Sequence, residues 1–225
     1  MAEKVVLHQI YYHESQKGEV FDFAIPYFNP TLTPFFENSV IPGLVLASEA
    51  EKTGVCSWNL RKKSVVFSIP PVREINQELI NGDYDVLAFT KHGKGHQMLE
   101  AMEGWHKGSR ETLRKICQAA GIPFKEPKYV FYQNAFIART DIYQNYVKNA
   151  LVPAMYVMDN DPDIKELCWQ DSGYYKLTGK TKDDLFAQQV EKYLGVTYCP
   201  MHTFLLERLF PVWLNTQKNI NFQSV

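Results

Sequence analysis

Residues 83–96, DYDVLAFTKHGKGH, decide how the fold is read. Val86 to Phe89 is an apolar run long enough for a buried strand and too short for a helix. It opens directly into Thr90, Lys91, His92, Gly93, Lys94, Gly95 and His96. Glycines let backbone N–H groups come close to a ligand, and lysines carry compact charge suited to phosphate. Ligands of open α/β sheets sit just beyond the carboxyl ends of the strands. That makes Lys91, His92, Lys94 and His96 candidate substrate-binding residues. The spacing fits no Walker-type or Rossmann fingerprint, so a solvated basic turn stands as the alternative.

Working outward, Val5 to Ile10 reads as a first strand, followed by a polar turn holding Tyr12 and His13. Residues 21–42, rich in Pro, Phe and Asn, read as an irregular excursion. Leu44 to Lys52 reads as a short helix. Gly54 to Trp58 and Val65 to Ile69 read as strands, with Pro70 and Pro71 ending the second and a helix over Pro71 to Ile80. Ser109 is placed to cap a helix through Ala120, with Gly121 just past its end. Tyr129 to Ala138 reads as strand material, and Thr140 opens a helix with the stripe Ile142, Tyr143, Tyr146, Val147 and Ala150. Thr181 and Asp184 form a capping pair ahead of Leu185. Met201 to Leu214 is a last amphipathic helix, expected to break near Pro211. Alternating strands and helices predict one α/β domain over residues 1–225, built on a mixed, mostly parallel central sheet flanked by helices.

Composition narrows the function classes. The 225 residues are 45% hydrophobic and 22% charged, enough for a sizeable core. A net charge of −1 argues against a general nucleic-acid binder. Thirteen Tyr and fourteen Phe supply ring faces able to stack on bases or sugars as well as to fill a core. Cys56, Cys117, Cys168 and Cys199 are scattered without a CxxC pair, which reads as reduced thiols of a cytoplasmic protein. No stretch approaches a membrane span, leaving peripheral association through the aromatic C-terminal segment as the membrane option.

Several constellations carry possible chemistry. Asp83-Tyr84-Asp85 spells DxD, a pattern suited to Mg2+ or Mn2+ on a diphosphate, yet it precedes its strand and falls at the wrong end of it. No metal ligand is therefore assigned. Trp58, Arg61 and Lys63 join an indole to cations after a strand, which suits a phosphate-bearing donor or a plain solvated turn. Glu207-Arg208 reads first as a helix-anchoring ion pair. Gln133-Asn134 interrupts an apolar strand, so its amides either satisfy backbone groups or reach ligand hydroxyls.

Five patches together resemble a bacterial group associated with surface-polysaccharide synthesis and placed among glycosyltransferases of GT-A-like nucleotide-sugar-binding fold. They are LHQIYYHES, GVCSWNLRKKS (Gly54, Ser57, Trp58, Lys63), YDVLAF, EGWHKG (Gly104, His106, Gly108), and YQNAFIARTDIYQNYV with LLERLFPVWL. The resemblance implies transfer of a sugar from a nucleotide-sugar donor to a glycan acceptor. A non-catalytic nucleotide- or carbohydrate-binding protein on the same scaffold is the alternative. The donor cleft would be lined by Tyr12, His13, Ser57, Trp58, Arg61, Lys63, Lys91, His92, Lys94, His96 and Asn134. Asp85, His106 and Glu207 are the catalytic candidates, with Glu103 a further carboxylate.

Overall fold

The computed structural model describes residues 4–60, 77–89, 96–129, 131 and 134–224. Their sheet has six strands: β1 (Val5–Tyr11), β2 (Ile25–Phe28), β3 (Lys52–Ser57), β4 (Val86–Ala88), β5 (Phe136–Arg139) and β6 (Phe222–Ser224), in the order β2-β1-β3-β5-β4-β6. Helices flank it, so the α/β expectation stands at that level.

The pairing corrects the expectation of a mostly parallel sheet. The β1–β2, β1–β3 and β4–β6 ladders are parallel, whereas β5 runs against both of its neighbours, β3 and β4. The physical reason lies in where the chain enters β5. Asn134 takes a left-handed turn (φ 52°) and feeds the strand in from the edge at which β1, β3 and β4 end. A strand entering there can only run backwards. Among the described residues of the expected 129–138 run, 136–138 are strand, and β5 extends one residue further to Arg139.

Alternation sorts the strands onto two cores. Ile10, Val55, Val86, Ala88, Phe136 and Ala138 face the main helical layer; Leu7, Cys56, Leu87 and Ile137 face a smaller cluster with Phe21, Leu60, Ile80 and Tyr84. Gly54 sits between Leu7 and Ile137, where a Cβ would lie 2.7 Å from Leu7 Cδ1 and 2.9 Å from the Phe136 carbonyl oxygen. The strand therefore needs glycine at that position because there is no room for a side chain.

The helices are α1 (Ile41–Leu46), α2 (Gln77–Ile80), α3 (His96–Trp105), α4 (Ser109–Ala119), α5 (Thr140–Tyr146), α6 (Val152–Asn160), α7 (Pro162–Cys168), α8 (Tyr174–Thr178), α9 (Leu185–Leu194) and α10 (His202–Leu214). A π-helical turn at Val147–Leu151 joins α5 to α6. Helix α1 starts earlier than expected and ends at Leu46, because Lys52 already belongs to β3. Of the helix read over Pro71 to Ile80, residues 77–80 are described and helical; Val65 to Ile69 lie outside the described residues.

Capping accounts for some of the helix ends. Glu103 accepts from Gly108 N (2.7 Å) and Arg110 N (3.0 Å), so it, and not Ser109, satisfies the first turn of α4. Gly121 closes α4 at φ 69°. Asp161 accepts from Asp163 N and Ile164 N ahead of Pro162 in α7. Asp184 precedes α9 and accepts from Thr181 N at 2.7 Å. Helix α10 runs through Pro211 without a break. One turn remains beyond that proline, and all thirteen of its residues are buried, so packing outweighs the lost bond. Among the described residues no helix is long and apolar enough to cross a membrane.

Candidate functional site

One rim of the sheet gathers the carboxyl ends of β1, β3 and β4 and, because β5 is reversed, its amino end. Tyr12 and His13 follow β1 there, Ser57 ends β3 beside Ile10, Phe89 follows β4, and Asn134 precedes β5. Backbone bonds tie the rim together: Trp58 N donates to Ile10 O at 2.8 Å and Phe89 N to Ala135 O at 2.8 Å. The fully buried Gln9 fastens it from inside. Its amide donates to the carbonyls of Ser57 (3.1 Å) and Trp58 (3.2 Å) and accepts from Phe21 N (2.8 Å). Alternation would have flagged Gln9 as a polar residue on an inward position of a strand.

The turn after β1 is held by a reciprocal cap. Gln16 Oε1 accepts from Tyr12 N (2.7 Å) and His13 N (3.1 Å), while His13 Nδ1 accepts from Ser15 N (3.2 Å). This fixes His13 with Nδ1 toward its own turn and the ring exposed at the rim. Tyr12 is buried, and its hydroxyl has no hydrogen-bond partner among the described residues. Burial, and then the nearby Glu37 carboxylate, push its phenol pKa well above the usual tyrosine range. Ser57 is buried and Trp58 half-buried at the same edge.

Asn134 and the segment Phe36–Ser39 meet at this rim. Asn134 Nδ2 donates to Asn38 Oδ1 at 3.2 Å, and Asn38 Nδ2 in turn donates to Phe35 O at 3.1 Å. Phe36 adopts φ 50° and Asn134 φ 52°. A left-handed phenylalanine costs about 1–3 kcal/mol and persists only where packing enforces it. Here Tyr12 meets Phe36 edge-on at 6.5 Å and Phe186 stacks on it at 5.5 Å. Glu37 follows Phe36 in this segment and retains 9% exposure. Its charge raises the proton affinity of Tyr12, Cys56, Tyr174 and Cys199, in each case behind the larger effect of burial. Sequence reading missed Glu37 because the 21–42 excursion has no period that singles out one carboxylate.

The catalytic candidates separate. Asp85 lies at the opposite rim, where β4 begins. It pairs with Arg139 Nη1 at 3.0 Å and accepts from Asn221 N at 2.8 Å, fastening β6 to β4. The structure does not bring Asp85 together with the rim residues, and the Asp83-Tyr84-Asp85 carboxylates do not fit a cation on a rim-bound diphosphate. His106 and Glu207 are brought near each other instead. His106 is buried, its ring stacks on Phe204 at 4.1 Å, and Nδ1 lies 2.6 Å from Ser172 O, an arrangement that protonates Nδ1. Burial lowers its pKa; the bond to the Ser172 carbonyl opposes that shift, Arg208 reinforces it and Glu207 again opposes it. Glu207 accepts from Arg208 Nη1 at 2.7 Å, the ion pair expected on α10. Phe204 also contacts Tyr174, which contacts Phe186, so this polar group connects through rings to Phe36 and Tyr12.

Arg61, Lys63, Lys91, His92 and Lys94 lie outside the described residues; His96 opens α3, with only its main chain described. Among the described residues no group of three His, Cys, Asp or Glu side chains could hold a metal ion. A shallow depression of about 380 Å3 lined by Glu103, Arg110, Glu111, Arg114 and Phe124 includes none of the rim residues. Comparison with protein-family models, curated protein sequences and solved structures returns no match for this chain.

Proposed function

We propose that this protein is a glycosyltransferase that seats a nucleotide-sugar donor across the carboxyl rim of its sheet and passes the sugar to a glycan acceptor. The observation that carries the reading is the meeting of Tyr12, His13, Ser57, Trp58 and Asn134 at one edge, from the ends of three different strands. That edge is where α/β sheets bind ligands. The half-buried Trp58 indole offers a face for the base or sugar. The Ser57 hydroxyl and the Asn134 amide supply polar groups for sugar hydroxyls. The sequence continuing from Trp58 holds Arg61 and Lys63, and that continuing from Phe89 holds Lys91 and Lys94. Cations there would offset diphosphate charge as the leaving group departs. Asp83 and Asp85 lie at the opposite rim and do not fit a metal-diphosphate role at this edge.

A specific observation favours the second reading, a non-catalytic nucleotide- or carbohydrate-binding protein. Asp85, Glu103 and Glu207 are all held in structural bonds. A thermal-shift screen of UDP, GDP, dTDP and CMP, with and without Mn2+, tests both. Transferase function requires that a nucleotide raise the melting temperature and that its sugar conjugate be slowly hydrolysed. Binding without turnover supports the second reading, and no shift with any nucleotide at millimolar concentration removes both.

A further inference from the structure

We propose that the outer face of the π turn and α6 is a self-association surface, on which a second copy of this chain docks antiparallel about a two-fold axis. The inference is independent of the glycosyltransferase reading.

From Thr140 to Asn160 the chain is continuously helical, through α5, the π turn and α6. Its inner face belongs to the core, with Ala150, Ala154 and Met158 fully buried. A helix on a protein surface normally turns polar and charged groups outward. This one does so only at its ends. Lys148 is exposed at one end and Asp159 at the other, with Asp163 of α7 just beyond. Between them Val152 is 43% exposed and Tyr156 68%, the latter the most exposed large hydrophobic side chain among the described residues. Met155 is half-buried in the same stretch. Leu46 extends the apolar area: it is exposed at the end of α1, which Gln144 Nε2 holds through the Val45 carbonyl at 3.2 Å. Apolar surface rimmed by charge marks interaction sites, and tyrosine is prominent among the anchors of protein interfaces.

The charges identify the occupant. Lys148 and Asp159 are eleven positions apart, about three helical turns, so both lie on the stripe of Val152 and Tyr156. Neither is in an ion pair among the described residues. At the acidic end Asp159, Asp161 and Asp163 outnumber Lys165, whose charge acts on Asp159. Turning a second copy end over end sets Lys148 of each copy toward Asp159 of the other, with the two Val152–Tyr156 stretches facing each other between them. A parallel arrangement would set lysine on lysine and aspartate on aspartate. The face is therefore complementary to itself under a two-fold rotation, the relation that closes a dimer.

Sedimentation equilibrium of the full chain, from micromolar concentration to about 1 mM, tests this, and reversible dimerisation is expected within that range. Tyr156→Asp should weaken the dimer about a hundredfold or more, because the two-fold buries that ring twice. Lys148→Asp should weaken it about tenfold, by repulsion at both ends of the contact. Combining Lys148→Asp with Asp159→Lys should recover most of that loss, which a structural role of either residue within one chain would not produce. All three side chains are exposed, so the melting temperature of the monomer should hold. A chain that stays monomeric to about 1 mM overturns the proposal. So does a dimer that Tyr156→Asp leaves intact, since its contact then lies elsewhere. A dimer weakened by Lys148→Asp and not restored by the charge exchange overturns the antiparallel arrangement. Monomers that sediment with phosphatidylcholine vesicles and do not pair overturn the proposal in favour of a lipid contact.

Discussion

Asn134 donates to Asn38 across 3.2 Å and 96 positions of chain, tying the turn into β5 to the segment that carries Glu37. Asn134 also sits at φ 52°, so it does two jobs that substitutions can separate. Asn134→Gly keeps the left-handed turn and loses the buried hydrogen bond, costing about 1 kcal/mol. Asn134→Ala loses the bond and strains the turn as well, costing about 2 kcal/mol. Urea denaturation reads both. Equal losses would show that the turn geometry contributes nothing.

Asp85 is expected to matter for stability and not for ligand binding. Its carboxylate holds Arg139 and the Asn221 backbone where β6 joins the sheet. The Arg139 side chain is 46% exposed, so the ion pair itself is weak. Losing it together with the bond to Asn221 N makes Asp85→Ala cost about 1–2 kcal/mol in chemical denaturation. Nucleotide affinity should not change. A loss of about tenfold or more would return Asp85 to the site.

His202 makes stability depend on pH. It is fully buried, neither ring nitrogen has a hydrogen-bond partner among the described residues, and Phe35 and Trp169 meet it edge-on at 5.3 and 5.2 Å. Burial first, and the Lys165 charge second, push its pKa from 6.5 down to about 4. Between those values the unfolded chain binds a proton that the folded chain refuses. The stabilisation is therefore complete above about pH 6.5 and is lost as the pH falls toward 4, by about 3 kcal/mol. His106, also shifted down, adds a loss of the same sign. Melting curves across this window should flatten in His202→Phe; an unchanged slope would mean that other groups carry the acid sensitivity.

Lys91→Ala combined with Lys94→Ala should weaken nucleotide binding about tenfold or more, because each removes a phosphate-directed charge. The melting temperature should hold. Isothermal titration with UDP checks the first part and calorimetry the second. Unchanged affinity would take this loop out of the mechanism.

The strand-end rule made much of the rim legible beforehand. Tyr12 and His13 follow an apolar run and Trp58 ends another, whereas Asn134 reads in the sequence as interrupting a strand; the rim collects them together with Ser57. Helix ends were equally readable where a carboxylate or glycine stands at the cap, as at Asp184 and Gly121. Reading failed where tertiary contacts overrode local preference. Pro211 did not break α10, and β5 turned out to run against its neighbours.

The amino-acid order by itself determined the α/β class, the α4, α9 and α10 helices, and which turns sit at strand ends, because periodicity and capping are local properties of neighbouring residues. Only the tertiary structure decided that β5 runs backwards between β3 and β4, that Asp85 closes the far edge against Arg139, and that Glu37 lies beside Tyr12. Those outcomes depend on contacts between residues far apart in the chain, formed when buried polar groups and ring faces find partners, and no local pattern encodes them.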